Sequence, residues 1–343
     1  MTTSKKPITG AITGPITGPI KKAILLVGGK GTRLQPLTNT VPKPMIRIAG
    51  KPVTEHQIIK ARDAGVEEIV LATSYLAEVF QPYFGDGRDF GVRLRYAIER
   101  EPLGTGGAIA NAAQELNLAT HESAFIFNGD VLSGHDLRLQ QALHQDAGAD
   151  VTLHLTSVDD ARAYGCVPID ASGRVSEFLE KMENPKANTI NAGCYIFTKE
   201  AIAQIPNETV VSVERETFPL LLDQGRKIFG YEDSRYWIDM GTPQAMIRAS
   251  RDLILNPSIS TAVPQIAHDA VVEPEVQIDS SARIGGGSFL SRGTRIGARS
   301  EISGSIIAEN VVIEDDVTIH NSYVAPQTRV KSGSRITDQV FGF

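Results

Sequence analysis

The chain has 343 residues, 41% of them hydrophobic, and carries 34 Lys and Arg against 40 Asp and Glu, a formal net charge of −6. That length and apolar content suffice for a substantial core and two domains, and exclude a fibre or a charged binding tail. The acidic balance argues against a nucleic-acid surface, and the lack of a long apolar run or an N-terminal hydrophobic segment argues against a membrane span or secretion, so the expectation is a cytosolic enzyme.

Residues 7–20 repeat a Pro/Ala-Ile-Thr-Gly unit. Pro and Gly at this density prevent a helix or a sheet ladder from persisting, so residues 1–21 are expected to form a flexible tail. Next comes Ala23-Ile24-Leu25-Leu26-Val27, an apolar run with the length of a buried parallel strand. Gly28-Gly29-Lys30-Gly31-Thr32-Arg33-Leu34 follows at once, with Pro42-Lys43-Pro44 behind it. Glycines after a strand bring unobstructed N–H groups against a polyphosphate, and Arg33 and Lys43 add fixed positive charge. The spacing fits neither the dinucleotide fingerprint nor the Walker loop.

From residue 23 to about 255, strand-like runs at 68–73, 92–98, 124–127 and 151–155 alternate with helix-like stretches such as 53–64 and 105–115. That alternation predicts an α/β, Rossmann-like, mostly parallel sheet with helices on both faces and ligands at the strands' carboxyl ends. Asp130 and Asp239 each follow an apolar run and are placed to meet above the sheet, where two carboxylates suit Mg²⁺. Cys166 and Cys194 lie in apolar runs without metal-ligand spacing and read as buried, reduced thiols.

After residue 257 the rhythm changes. Ile266, Val272, Ile278, Ile284, Leu290, Ile296 and Ile302 recur every six residues, and Ile307, Ile313 and Ile319, then Val324, Val330 and Ile336, resume the period after slips. A helix cannot place a six-residue period on one face, whereas short strands joined by tight turns in a stacked coil can. The chain therefore divides into a tail (1–21), an α/β domain (22–257) and a β-solenoid (258–343).

The glycine loop with its two cations and Pro-Lys-Pro resembles the signature of the nucleotide-sugar pyrophosphorylases, the sugar-1-phosphate nucleotidyltransferases. The Ile-Gly hexapeptides, such as Ile284-Gly285 and Ile296-Gly297, resemble left-handed parallel β-helices, for which subunit contact and a homo-oligomer are natural. Some hexapeptide proteins are acyltransferases, but His268 and His320 are isolated and read as surface residues. Pro102-Leu103-Gly104-Thr105 and Ser212-Val213-Glu214-Arg215-Glu216-Thr217-Phe218-Pro219 look like segments of mannose-1-phosphate guanylyltransferases.

The resemblance implies a nucleotide site of Leu26, Val27, Gly28, Gly29, Gly31, Thr32, Arg33, Lys43, Glu99, Gly104, Thr105 and Asn128, and Mg²⁺ on Asp130 and Asp239. It implies a sugar-phosphate site of Gly165, Glu180, Lys181 and Asn191, although Met182 stands where the family usually has Pro. Arg33, Lys43 and Lys181 would be the catalytic cations.

Glu99 speaks to the base. A carboxylate only accepts hydrogen bonds; guanine offers adjacent N1–H and N2–H donors, whereas uracil and thymine offer a single ring N–H. The expected reaction is attack by a sugar 1-phosphate oxygen on the α-phosphorus of GTP, releasing pyrophosphate. Mannose 1-phosphate is favoured by the resemblance, with heptose guanylyl, glucose uridylyl or thymidylyl transfer, or a silent regulatory subunit that binds nucleotide-sugar, as the alternatives.

Overall fold

The computed structural model describes residues 18–343 except residues 30, 40, 75, 180–182, 265, 267 and 268. Its first strand, β1 (Lys22–Leu26), has parallel partners on both edges, and Ala23, Ile24 and Leu25 are wholly buried. A strand in that position has no solvent face, so its sequence is an unbroken apolar run. Six further strands complete the sheet: β2 (Glu68–Thr73), β3 (Arg93–Ile98), β4 (Ser123–Asn128), β5 (Val151–Ser157), β6 (Thr189–Thr198) and β7 (Ile228–Glu232). They lie in the order β7-β5-β6-β4-β1-β2-β3, and only β6 runs antiparallel to its neighbours.

Alternate residues of β1 serve opposite cores. Ile24 packs with Val70 and with Ile109 and Ala112 of α2 (Gly104–Leu116), while Ala23 and Leu25 pack with Ile58 and Ala61 of α1 (Val53–Asp63). Each fully buried Ile or Leu contributes about 1.5–3 kcal/mol relative to exposure. The expected strands and helices all appear, with ends displaced by at most two residues. No helix among the described residues is long and apolar enough to cross a membrane. Cys166 and Cys194 are free and buried, and burial pushes the Cys194 thiol up to about 12.

The expected tail needs one correction. Residues 1–17 lie outside the described residues, but Ile20 is buried in the core of α1 and β1, and its N–H donates to Gln141 Oε1 at 3.0 Å. Apolar burial plus that hydrogen bond holds the end of the repeat on the α/β domain.

Beyond α3 (Pro243–Leu255) the chain winds into three stacked parallel ladders, as expected of a left-handed β-helix. Ile278 pairs with Ile296, Ile296 with Ile313 and Ile313 with Val330, so one coil takes 18 or 17 residues and the slips in the hexad fall where a coil is one residue shorter. Leu290, Ile302, Ile307, Ile319, Val324 and Ile336 fill the interior. The first coil departs from the pattern, since Val272 and Ile278 are 46% and 39% exposed. Among the described residues their strands have a ladder partner on one side only.

The two domains share a core. Leu34 and Leu37 of the glycine-loop segment, Ile48, Leu253 of α3, and Val271, Phe289 and Ile306 of the coil form one apolar cluster. At its edge Arg47 bonds to Glu273 and, at 3.2 Å, to Glu309, with its guanidinium 5.3 Å from the Phe289 ring centroid. Burial alone would lower the Arg47 pKa, but the two carboxylates raise it above the ordinary value.

Candidate active site

The carboxyl ends of β1, β2, β3 and β4 open into a cleft of about 450 Å³. Gly31 enters the turn Thr32–Leu34 with φ 60°, a left-handed conformation that glycine adopts without cost, and the turn carries Arg33 to the cleft wall. Opposite stands Gly241: a Cβ there would lie 3.0–3.2 Å from the Arg33 guanidinium, so glycine is what lets Arg33 lie flat against that backbone.

Asp130 and Asp239 come together through a small ribbon. Trp237–Asp239 pairs antiparallel with Val131–Ser133, Asp239 opposite Val131, and the Met240 N–H donates to the Asp130 carbonyl at 3.0 Å. The buried Lys43 ammonium is counter-ion to both, 2.8 Å from Asp130 and 3.8 Å from Asp239. Burial, and then the Asp130 charge, raise the Asp239 pKa, offset in part by Lys43 and Arg33. Asp239 Oδ1 is buried and has no hydrogen-bond partner among the described residues; its contact with Lys43, at 3.8 Å, is an ion pair beyond hydrogen-bond range.

That donor set fits a hard divalent ion. A buried carboxylate oxygen that has a cation only at 3.8 Å, beside a second carboxylate, can take a closer positive charge, and Mg²⁺ typically takes one or two carboxylates and completes its shell with phosphate oxygens and water. Among the described residues no cluster of three or more His, Cys, Asp or Glu is placed to hold a metal, so substrate oxygens would have to supply the rest.

At the other end of the cleft Glu99 continues β3, its N–H donating to the Thr73 carbonyl at 2.8 Å. Its side chain is buried, which raises its pKa, while the Leu103 N–H donating to Oε2 at 3.1 Å lowers it. Gly104 and Thr105 begin α2 on the cleft wall. The Thr105 hydroxyl donates to Glu214 at 2.9 Å and accepts from the Val213 N–H at 2.9 Å.

Of the expected nucleotide residues, Leu26, Gly28, Gly29, Gly31, Thr32, Arg33, Lys43, Glu99, Gly104, Thr105 and Asn128 all line the cleft. Val27 is the exception: strand alternation turns its side chain into the core beside Leu25 and Phe127, and its N–H is bonded to the Ala72 carbonyl. Asn191 lies outside the cleft lining but joins it through Tyr195, whose hydroxyl accepts from Asn191 at 2.9 Å and Asn128 at 3.3 Å and donates to Glu214 at 3.5 Å.

Gly165 has φ 77° and follows the turn Ala161–Ala163. Cys166 and Leu179 exchange backbone hydrogen bonds at 3.0 Å, and Trp237 Nε1 donates to the Ala192 carbonyl at 3.0 Å. These contacts gather the 165, 179 and 192 segments next to Asp239's strand. Glu180, Lys181 and His268 lie outside the described residues, and His320 sits in the coil strand Thr318–His320. Sequence reasoning assigned no role to Tyr195 or Glu214. Tyr195 is hidden in the apolar alternation of β6, and for Glu214 the only signal was the segment around it.

A sequence profile described as nucleotidyl transferase matches residues 22–255. This chain belongs to the nucleotidyl transferase family. Among similar proteins, the mannose-1-phosphate guanylyltransferase of Mycobacterium tuberculosis (strain ATCC 25618 / H37Rv) is 46% identical over 293 residues, covering 85% of this chain and 81% of that one. The mannose-1-phosphate guanylyltransferase 1 of Arabidopsis thaliana is 32% identical, covering 91% and 97%. The crystal structure of HddC from Yersinia pseudotuberculosis superposes with a TM-score of 0.58 at 29% identity, covering 68% of this chain and 99% of HddC; a second structure of that protein is complexed with GMP-PN. Part of this nucleotidyl transferase therefore has no counterpart in HddC.

Proposed function

We propose that the chain transfers a guanylyl group from GTP to mannose 1-phosphate, giving GDP-mannose and pyrophosphate, with Mg²⁺ as cofactor. The observation that carries this is the gathering of Arg33, Lys43 and Asp130 on the wall of a cleft, with Asp239 behind them 3.8 Å from Lys43, while the same cleft presents a buried carboxylate, Glu99. The names of the similar proteins favour mannose 1-phosphate, and the two adjacent donors of guanine favour GTP.

In this reaction an oxygen of the sugar phosphate forms a bond to the α-phosphorus, and the bond from that phosphorus to the α–β bridging oxygen breaks, its electrons leaving with pyrophosphate. A phosphate monoester has its second pKa near ~6, so the nucleophile is already ionised at neutral pH and needs no side-chain base. Catalysis then rests on positioning and charge. Mg²⁺ held by Asp130 and Asp239 would neutralise phosphate oxygens of both reactants.

Arg33, held flat against Gly241, stabilises charge developing on the α-phosphate and pyrophosphate. Lys43 exchanges its carboxylate partners for the leaving phosphates. Lys181 fixes the attacking phosphate, and Glu180, Asn191 and the backbone at Gly165 bind the sugar. Both substrates are multiply charged and do not cross a bilayer unaided, so the reaction is assigned to the cytosol. The one-sided strands and exposed Val272 and Ile278 of the first coil support self-association through the β-helix.

The test is pyrophosphate release by the purified chain with Mg²⁺, screening GTP, ATP, UTP and dTTP against mannose and glucose 1-phosphates. Release with GTP and mannose 1-phosphate at least tenfold above every other pair is expected. Preference for another base or sugar overturns the substrate assignment, and no release with any pair overturns the enzymatic one.

A further inference from the structure

One face of α1 touches both charged segments of the cleft. Thr54, fully buried, donates its hydroxyl to the Pro44 carbonyl at 3.0 Å, next to Lys43. One turn on, Gln57 Nε2 donates to the Asn128 carbonyl at 2.8 Å and to the Val131 carbonyl at 2.9 Å, the two that bracket Asp130. One turn further, Lys60 donates to the Ser133 carbonyl and reaches His135 Nδ1 at 3.1 Å. Positions three apart on a helix are neighbours on its surface, so these three side chains form one row.

Gln57 is 5% exposed, and burying an amide is costly unless its groups are bonded. Both N–H groups of its Nε2 are engaged by main-chain carbonyls on either side of a single acidic residue, while its Oε1 is buried with no hydrogen-bond partner among the described residues, so the burial is offset through the donors alone. Main-chain clamps of this kind fix a strand-to-turn segment in two places, which sets the direction in which the side chain between them points.

We propose that Gln57 is a positioning residue that fixes the Asp130 carboxylate against Lys43 and Asp239, with α1 as the common reference for both charged segments. The proposal rests on the reading of Asp130 as a metal ligand. Groups that orient a ligand carry much of a site's affinity: their loss typically weakens metal binding 10–100-fold. Gln57→Met keeps length and volume and removes both donors; Gln57→Glu keeps shape and sets a carboxylate against two carbonyls.

The experiment is Mn²⁺ binding to the whole chain saturated with a non-hydrolysable GTP analogue, followed by the loss of the free-ion electron paramagnetic resonance signal relative to the analogue without protein. Thermal unfolding is measured alongside, with Gln141→Leu as a control because it removes another buried amide whose partners are Ile20 and Gly18. Gln57→Met is expected to weaken Mn²⁺ about tenfold or more, with kcat lowered and KM for GTP changed less than threefold, while Gln141→Leu lowers the melting temperature and leaves Mn²⁺ affinity within twofold. Equal Mn²⁺ affinity in Gln57→Met and wild type, or an equal loss in Gln141→Leu, overturns the proposal. Wild type that binds no Mn²⁺ overturns instead the assignment of Asp130.

Should Gln57→Met not fold, Gln57→Glu decides by the same titration: Mn²⁺ binding weakened about tenfold or more supports the clamp, and affinity within twofold of wild type overturns it.

Discussion

At the end of the cleft proposed for the phosphates four charged groups crowd together, the Lys43 ammonium lying 2.8 Å from Asp130 and 3.8 Å from Asp239 with Arg33 stacked on Gly241 beside them. At the end proposed for the base a single carboxylate, Glu99, is buried with one backbone N–H for company among the described residues. The first arrangement is strong and unselective, since any nucleoside triphosphate presents the same oxygens. The second is weak in charge but selective, because an unmatched buried acceptor costs free energy with the wrong base. Rate and choice are thus assigned to different ends, and variants at each should change different kinetic constants.

Arg33→Ala at the phosphate end should lower kcat by about 10²–10³-fold, the usual cost of removing one preorganised donor from a developing charge, with KM for GTP changed far less. Steady-state pyrophosphate release measures it; a variant with unchanged turnover removes Arg33 from the mechanism. Glu99→Gln at the base end should leave kcat near wild type and cut the GTP-over-dTTP ratio of kcat/KM by about 10–100-fold, the worth of a hydrogen bond to a charged group. An unaltered ratio would mean that base choice lies elsewhere.

Arg47 lies four residues past Lys43 and is tied to the coil through Glu273, Glu309 and Phe289. Arg47→Ala strands two partly buried carboxylates and should destabilise the chain by about 1–3 kcal/mol in urea unfolding, with turnover reduced far less than in Arg33→Ala. A loss of turnover equal to that of Arg33→Ala would make the coil part of the phosphate end.

Acid acts on the ground beneath the cleft. Burial pulls His56, His144 and His154 down to about 4 and His135 well below its ordinary value. In the unfolded chain these residues protonate near ~6.5, so between that pH and the folded values the unfolded state binds more protons and stability falls as pH falls. Each should contribute a loss of about 1 kcal/mol by pH 5.5, a window in which ordinary carboxylates remain ionised. A urea midpoint flat from pH 7 to 5.5 would show that these side chains are already charged or exposed.

What could be read from the chain follows the same division between local and distant causes. β1 and the Ile302 and Ile319 ladder were visible because burial on every side imposes an apolar pattern on consecutive or evenly spaced residues. Asp130 and Asp239 were visible because each ends an apolar run in its own recognisable motif. Gln57 and Tyr195 were not, because a polar atom bonded across the fold leaves no period behind: Gln57 reaches the 128 and 131 carbonyls, and Tyr195 reaches Glu214. Ile20 looked like a repeat unit and is core, since its partner Gln141 lies 121 residues away. Val27 looked like part of the loop and is core because strand alternation extends one residue beyond the ladder.

The decisive observation is an anomalous-scattering map of crystals holding Mn²⁺, a non-hydrolysable GTP analogue and mannose 1-phosphate. A peak bonded to both the Asp130 and Asp239 carboxylates at about 2.0–2.3 Å, with Lys43 turned from Asp130 onto phosphate oxygens, is the predicted result. Lys43 still seated between the two carboxylates, with the ion bound to neither, would contradict it.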